Sequence, residues 1–159
     1  MSEREEFRST ILAHQAEAEA ALALRGDVEP RLALWSRRDP VTLFGAWGPC
    51  KTGWAEVSRT FRWVAERFTQ STVSDFRYDV EVAEVSGDLA YTVGYERFTA
   101  AVGDGPAEPY TVRVTHVYRR ENGEWKIVHR HGDLAPPDQS PPAEEATTMS
   151  GTAAEQPTE

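Results

Sequence analysis

Arg113 to Asp133 reads RVTHVYRRENGEWKIVHRHGD. Two runs of alternating residues flank Glu121-Asn122-Gly123, and an Asn-Gly pair between such runs marks a tight hairpin. In the second run Trp125, Ile127, His129 and His131 share one face, and Lys126, Val128 and Arg130 the other. Trp and Ile belong inside, Lys and Arg outside, so the alternation predicts that both histidines point inward. A histidine ring buried there has to find hydrogen-bond partners or lose its charge, because a lone buried cation is costly. The first run offers two sets: Tyr110, Val112, Val114, His116 and Tyr118, or Thr111, Arg113, Thr115, Val117 and Arg119. Alternation leaves the choice open. The first set is the more apolar; the second would bring Arg113 and Thr115 toward the histidines.

Upstream, period-two texture continues through about Phe76 to Val85 and Leu89 to Ala100, joined by short turn-rich links. Together with Pro109 to Arg120 and Glu124 to His131 these runs predict an antiparallel meander of four strands. The N-terminal half has helical spacing instead. From Glu3 to Leu24, Phe7, Ile11, His14, Ala18, Ala21 and Leu22 recur at three- and four-residue steps up to Gly26. Asp27 offers an N-cap for a shorter helix through VEPRLALW, broken by Arg37 to Pro40. Val41 to Trp47 and GPCKTG predict a hairpin. A third amphipathic helix runs from Gly53 to Gln70, with Trp63 opposite its apolar side. Helices first and sheet last is an α+β pattern, and three helices covering one face of a curved sheet would leave a cavity between them.

The chain has 159 residues, enough for one domain with its own core. From Asp133 onward there is no Lys, Arg or aromatic residue and Pro136, Pro137, Pro141 and Pro142 punctuate a run of Ala, Glu, Ser and Thr, so the expectation is a domain over 1–133 and a disordered acidic tail over 134–159. Asp133 and the tail hold six acids, so of the formal net charge of −9 the remainder carries only about −3. A mildly acidic body without a basic patch argues against nucleic acid and against an anionic membrane as partner. The single Cys50 forms no internal disulfide, the acidic N-terminus is unlike a signal peptide, and no apolar run approaches the roughly 18 residues of a span. A soluble, cytoplasmic protein is expected, and the composition, rich in Ala and Arg and poor in Lys and Asn, suits a high-GC bacterial source.

The series helix, RGD, helix, DPVTLFG, GW opening a helix, GDLAYTVGYE and RVTHVYRRENGEWKIVHRHGD resembles the nuclear transport factor 2-like superfamily, and within it the SnoaL-like group of small bacterial domains. The resemblance spans roughly Phe7 to Asp133 and is most specific in the last two strands. It implies an α+β cone, a bent sheet wrapped around the long helices, with a mainly apolar pocket and dimerisation through the sheet's outer face. The superfamily holds ketosteroid isomerase, SnoaL-type polyketide cyclases, scytalone dehydratase, limonene epoxide hydrolase and noncatalytic adaptors such as the kinase II association domain, so fold does not fix function. VTHVYR is similar to the isomerase strand whose acid helps hold the substrate oxyanion, and that position falls on Thr115. The resemblance thus turns Arg113 and Thr115 toward the pocket. The isomerase's tyrosine falls near Glu19 and its general base on Phe44 or Gly45, so the chain departs at all three catalytic positions and steroid isomerisation is not expected.

The candidate site is then His129 and His131 for proton transfer, since imidazole titrates near neutrality, with Arg113, Thr115, Glu19, Phe44, Trp47 and Glu96 touching a ligand. The opposing reading makes the histidines polar residues at the pocket rim, satisfied by Thr115 or water. Two histidines alone do not make a zinc site, and no metal or other cofactor is expected. The leading expectation is a homodimeric domain that binds a small apolar or carboxylate-bearing molecule, with an isomerase, cyclase or lyase activity if it is catalytic. The alternative is a noncatalytic dimerisation or adaptor module.

Overall fold

A computed structural model describes residues 1–68, 73–101 and 104–137. Helix α1 (Glu3–Arg25) begins at a capping box, in which the Ser2 side chain accepts from the Glu5 N–H and the Glu5 carboxylate accepts from the Ser2 N–H. It ends where Gly26 takes the left-handed conformation, φ +63°. Its buried stripe is Phe7, Ile11, Gln15, Ala18, Glu19 and Leu22. His14, although it recurs at the helical spacing, is a polar residue exposed to solvent, and Gln15 holds the buried place beside it.

Helix α2 (Glu29–Ala33) is only five residues long. Asp27 accepts from the Glu29 N–H, as its spacing suggests, but the helix stops before Trp35. The reason is tertiary: the backbone over Leu34–Ser36 leaves the helix to exchange hydrogen bonds with Ile127 of the last strand. Helix α3 (Trp54–Phe68) starts where the Asp39 carboxylate accepts from the Trp54 N–H at 2.8 Å. Its expected extension to Gln70 lies outside the described residues. On its exposed side Trp63 lies under the Arg67 guanidinium, 4.8 Å from ring centroid to charge.

The strands are β1 (Thr42–Phe44), β2 (Cys50–Thr52), β3 (Val73–Ser86), β4 (Leu89–Ala101), β5 (Ala107–Glu121) and β6 (Glu124–Leu134). They form one sheet in the order β2-β1-β6-β5-β4-β3. The last four make the expected antiparallel meander, and the β1–β2 hairpin is added at its edge with β1 parallel to β6. Asn122 and Gly123 turn the β5–β6 hairpin with φ of +50° and +82°, the paired positive values that a type I′ turn requires. The open, curved sheet wraps the helices into the α+β cone. In its interior Phe7 packs edge-on against Tyr118 and Trp125, at centroid distances of 5.2 and 5.1 Å.

Strand boundaries move outward: β3 begins at Val73, β5 begins at Ala107, and β6 continues through Asp133 to Leu134. Residues 135–137 are irregular, and the rest of the expected tail lies outside the described residues. Among the described residues no helix is long and apolar enough to cross a membrane.

Candidate functional site

One irregularity in β6 decides which side chains meet inside. Tyr118 pairs with Ile127, but the next residue, Val117, pairs with His129, leaving Val128 as an extra residue in the strand. Such a bulge shifts the alternation by one. Ile127 faces the core, and beyond the bulge the buried positions are Arg130 and Gly132, with His129 and His131 on the opposite side. The inward facing expected for His129 and His131 is therefore corrected. On β5 the buried residues are Val112, Val114, His116 and Tyr118, so Thr115 and Arg113 also lie on the outer face, against the register that the resemblance implied.

The inner face carries a charged cluster at the level of one cross-strand row. Thr92, His116, Arg130 and Leu43 are paired across β4, β5, β6 and β1. The Arg130 guanidinium donates to both oxygens of Glu96, at 2.6 and 2.7 Å, and to His116 Nε2 at 3.1 Å. Because a guanidinium only donates, Nε2 is an acceptor and the His116 proton sits on Nδ1, which faces the Tyr78 hydroxyl at 3.2 Å. Tyr78 in turn lies 2.8 Å from the Thr92 hydroxyl. Gly132 makes the arrangement possible: a Cβ there would meet Arg130 Nη2 at 3.1 Å and Val112 at 3.2 Å. The missing side chain is the space in which Arg130 folds back toward Glu96.

Two more charges close the cluster from the helices. Arg31 of α2 lies 2.6 Å from the Glu19 carboxylate of α1 and 3.6 Å from that of Glu96. The four ionic side chains are all nearly buried. Their environments pull the two carboxyls apart. Burial raises both, but for Glu96 the charge and hydrogen bonds of Arg130, with the charge of Arg31, prevail and hold it at about 2. For Glu19 burial and the nearby Glu96 charge prevail over Arg31 and push it up. Burial and the adjacent Arg130 charge hold His116 well below the usual histidine range, so it is neutral.

Above this floor opens a cavity of about 100 Å³. Glu19, Arg31, Glu96 and Arg130 contribute to its lining as one ionic cluster. The walls are apolar: Leu22 and Val28 from the first helices, Phe61 and Val64 from α3, Trp47 and Pro49 from the β1–β2 connection, and Val112 and Leu134 from the sheet. Phe76, Phe98 and Tyr110 stack across β3, β4 and β5 at centroid spacings of 6.4 and 5.5 Å and complete one wall. A second cleft, between α1 and the start of β3, also reaches Glu19. The cavity has the general form of a ligand site, apolar walls with a few convergent polar groups.

Of the residues expected to touch a ligand, Glu19, Glu96 and Trp47 line this cavity. Phe44 does not: it lies on the outer face, its ring edge-on to His129 and His131 at 5.6 and 5.5 Å. There His129 Nδ1 meets the Thr42 hydroxyl at 2.6 Å. Partial burial and the neighbouring His131 lower the His129 pKa. Arg113, expected to touch a ligand, stands on the outer face and forks onto Asp133 in a salt bridge with two bonds of 2.7 Å. Among the described residues no group of three His, Cys, Asp or Glu side chains is placed to hold a metal ion.

Sequence reasoning missed Arg31, His116 and Arg130. The signal for His116 was present in the more apolar of the two β5 sets. Gly132 inside a strand was a possible sign of irregular pairing, while nothing marks Arg31 beyond its place beside Leu32.

Comparison with known proteins agrees with this architecture. Residues 13–136 match the family model described as a SnoaL-like domain. Among solved structures, a candidate dehydratase of the nuclear transport factor 2-like family from Streptomyces avermitilis is 21% identical, with a TM-score of 0.68 over 83% of this chain and 98% of its own. A candidate calcium/calmodulin-dependent protein kinase type II association domain from Thiobacillus denitrificans is also 21% identical, with a TM-score of 0.62 over 78% and 94%. A ketosteroid isomerase-like protein from Erwinia carotovora atroseptica is 20% identical, with a TM-score of 0.60 over 79% and 97%. These likenesses establish the fold alone. No curated protein matches the chain.

Proposed function

The chain belongs to the SnoaL-like domain family, and from that premise we propose that its internal cavity binds a small, mainly apolar molecule that presents one polar group to the charged floor. The supporting observation is the segregation of the cavity lining: apolar side chains from the surrounding elements, and ionic side chains gathered in one mutually contacting cluster. At about 100 Å³ it is smaller than the roughly 300–1,000 Å³ of drug-sized sites, so the ligand is compact. The proton-handling group of this pocket is Glu19, a carboxyl whose pKa is raised beside a guanidinium. His129 and His131 take no part in the pocket's chemistry, because they stand across the sheet from it. Their face, with Phe44, Tyr91 and Val93 exposed, is the surface through which a second copy would pair.

Isothermal titration with benzamide, a compact neutral probe, tests the pocket. The wild-type protein is expected to bind it, and Ala46→Trp, which fills the cavity beside Trp47, is expected to lose at least tenfold in affinity. Equal binding by the two proteins would place the site elsewhere and remove the reading.

A further inference from the structure

The cluster at the cavity floor is balanced in an unusual way. With His116 neutral, two guanidiniums face two carboxylates, and the sum is zero when Glu19 is ionised. The two arginines are not equally committed. Arg130 spends its donors on both oxygens of Glu96 and on His116. Arg31 makes a close ionic contact to Glu19 and a longer one to Glu96 and stands 5.5 Å from the Phe61 ring centroid, and among the described residues the buried Glu19 Oε1 has no hydrogen-bond partner. The contact of 2.6 Å is thus an ion pair without hydrogen-bond alignment. A buried carboxylate is well paired only when its oxygens accept hydrogen bonds as well as face a charge. Glu96 meets that condition and Glu19 does not.

Resting on the pocket reading above, we propose that Glu19 is an internal stand-in for the carboxylate of a small apolar acid, which displaces it from Arg31 while Glu19 takes up one proton. A third carboxylate would leave the floor with a net negative charge in a site screened from water, and an unpaired buried charge of that kind is not tolerated. One proton restores the balance. Glu19 receives it because Glu96 is held ionised by Arg130 and His116 is held neutral. The raised pKa of Glu19 agrees with that assignment. The charged and titratable groups around it are Arg31 from α2, Glu96 from β4 and Arg130 from β6, with His116 of β5 behind Arg130 and Tyr78 and Asp75 of β3 lining the adjoining cleft. Helix α3 presents the uncharged Thr60, Phe61 and Val64. The acid is a compact one, with an apolar body the size of a single ring against the aromatic wall.

The test compares benzoate with benzamide, which share shape and differ in charge, by calorimetry of the full chain in two buffers of different ionisation enthalpy. Across about pH 6 to pH 9, benzoate is expected to bind with proton uptake rising toward one, its affinity falling up to about tenfold per pH unit where uptake is complete. Benzamide is expected to bind with no uptake. In Glu19→Gln, benzoate is expected to bind at least as tightly as in the wild type at pH 8, with no dependence on pH. Benzoate binding without proton uptake in the wild type overturns the proposal, and that measurement needs no variant to fold. Benzamide bound and benzoate rejected also overturns it, while leaving the pocket reading in place. Rejection of both probes removes the pocket reading and this proposal with it.

Discussion

Two arginine–carboxylate forks, with their arginines on neighbouring strands, have nearly the same bond lengths and opposite surroundings. Arg130 holds Glu96 with bonds of 2.6 and 2.7 Å in the interior, and Arg113 holds Asp133 with two of 2.7 Å on the outer face, where both side chains are more than 40% exposed. Distances do not distinguish them; water does. In the interior the pair has already given up its hydration, so each ion depends on the other, whereas on the surface solvent takes over if one partner leaves. The same contrast separates the histidines. His116 is buried and neutral between a guanidinium and a phenol, while His129 and His131 stand on the outer face beside Phe44.

The comparison breaks first at Arg130. Replacing it with Met leaves the Glu96 carboxylate buried with only Arg31 at 3.6 Å, and chemical denaturation at pH 7 is expected to show a loss of about 3–5 kcal/mol. A loss below about 1 kcal/mol would mean that water reaches the inner fork as it does the outer one.

His116 supplies a weaker effect with a sign of its own. Its folded pKa lies well below the ordinary histidine value of about 6.5, so the unfolded chain binds the extra proton and stability falls as pH drops below about 6.5, by up to about 1.4 kcal/mol per unit. Glu96 adds to the fall only at lower pH. Its folded value of about 2 lies below the ordinary carboxyl value of 4.5, so its contribution is present above 4.5 and lost as pH falls toward 2. In His116→Gln the slope between about pH 6.5 and pH 5 is expected to flatten, whatever happens to absolute stability. An unchanged slope would show that His116 is protonated in the fold.

The smallest effect belongs to the outer fork. Asp133→Asn is expected to leave the denaturation midpoint at pH 7 unchanged within error, because both partners are already hydrated. A clear drop would reveal that the outer face is covered, as it would be in a dimer, and repeating the measurement at several protein concentrations would identify that case.

The amino-acid sequence by itself determined the elements and their order. Helical spacing in the first half, period-two runs in the second and an Asn-Gly turn at 122–123 are local signals, set by backbone preference and by which side of an element is apolar. It also carried the family, through the last two strands. What the tertiary structure decided was which way the polar side chains face. A single extra residue at Val128 turned Arg130 inward and His129 and His131 outward, and on β5 the position that the resemblance gave to Thr115 faces outward while His116 beside it faces in. The apolar alternation of β5 pointed the correct way, because burial there is shared by four positions, Val112, Val114, His116 and Tyr118. The polar cluster had no such redundancy. Glu19, Arg31, Glu96 and Arg130 come from four elements, and their meeting depends on a bulge, on the gap left by Gly132 and on a short helix cut off by strand pairing. Those are properties of packing between segments distant in sequence, and no local period encodes them.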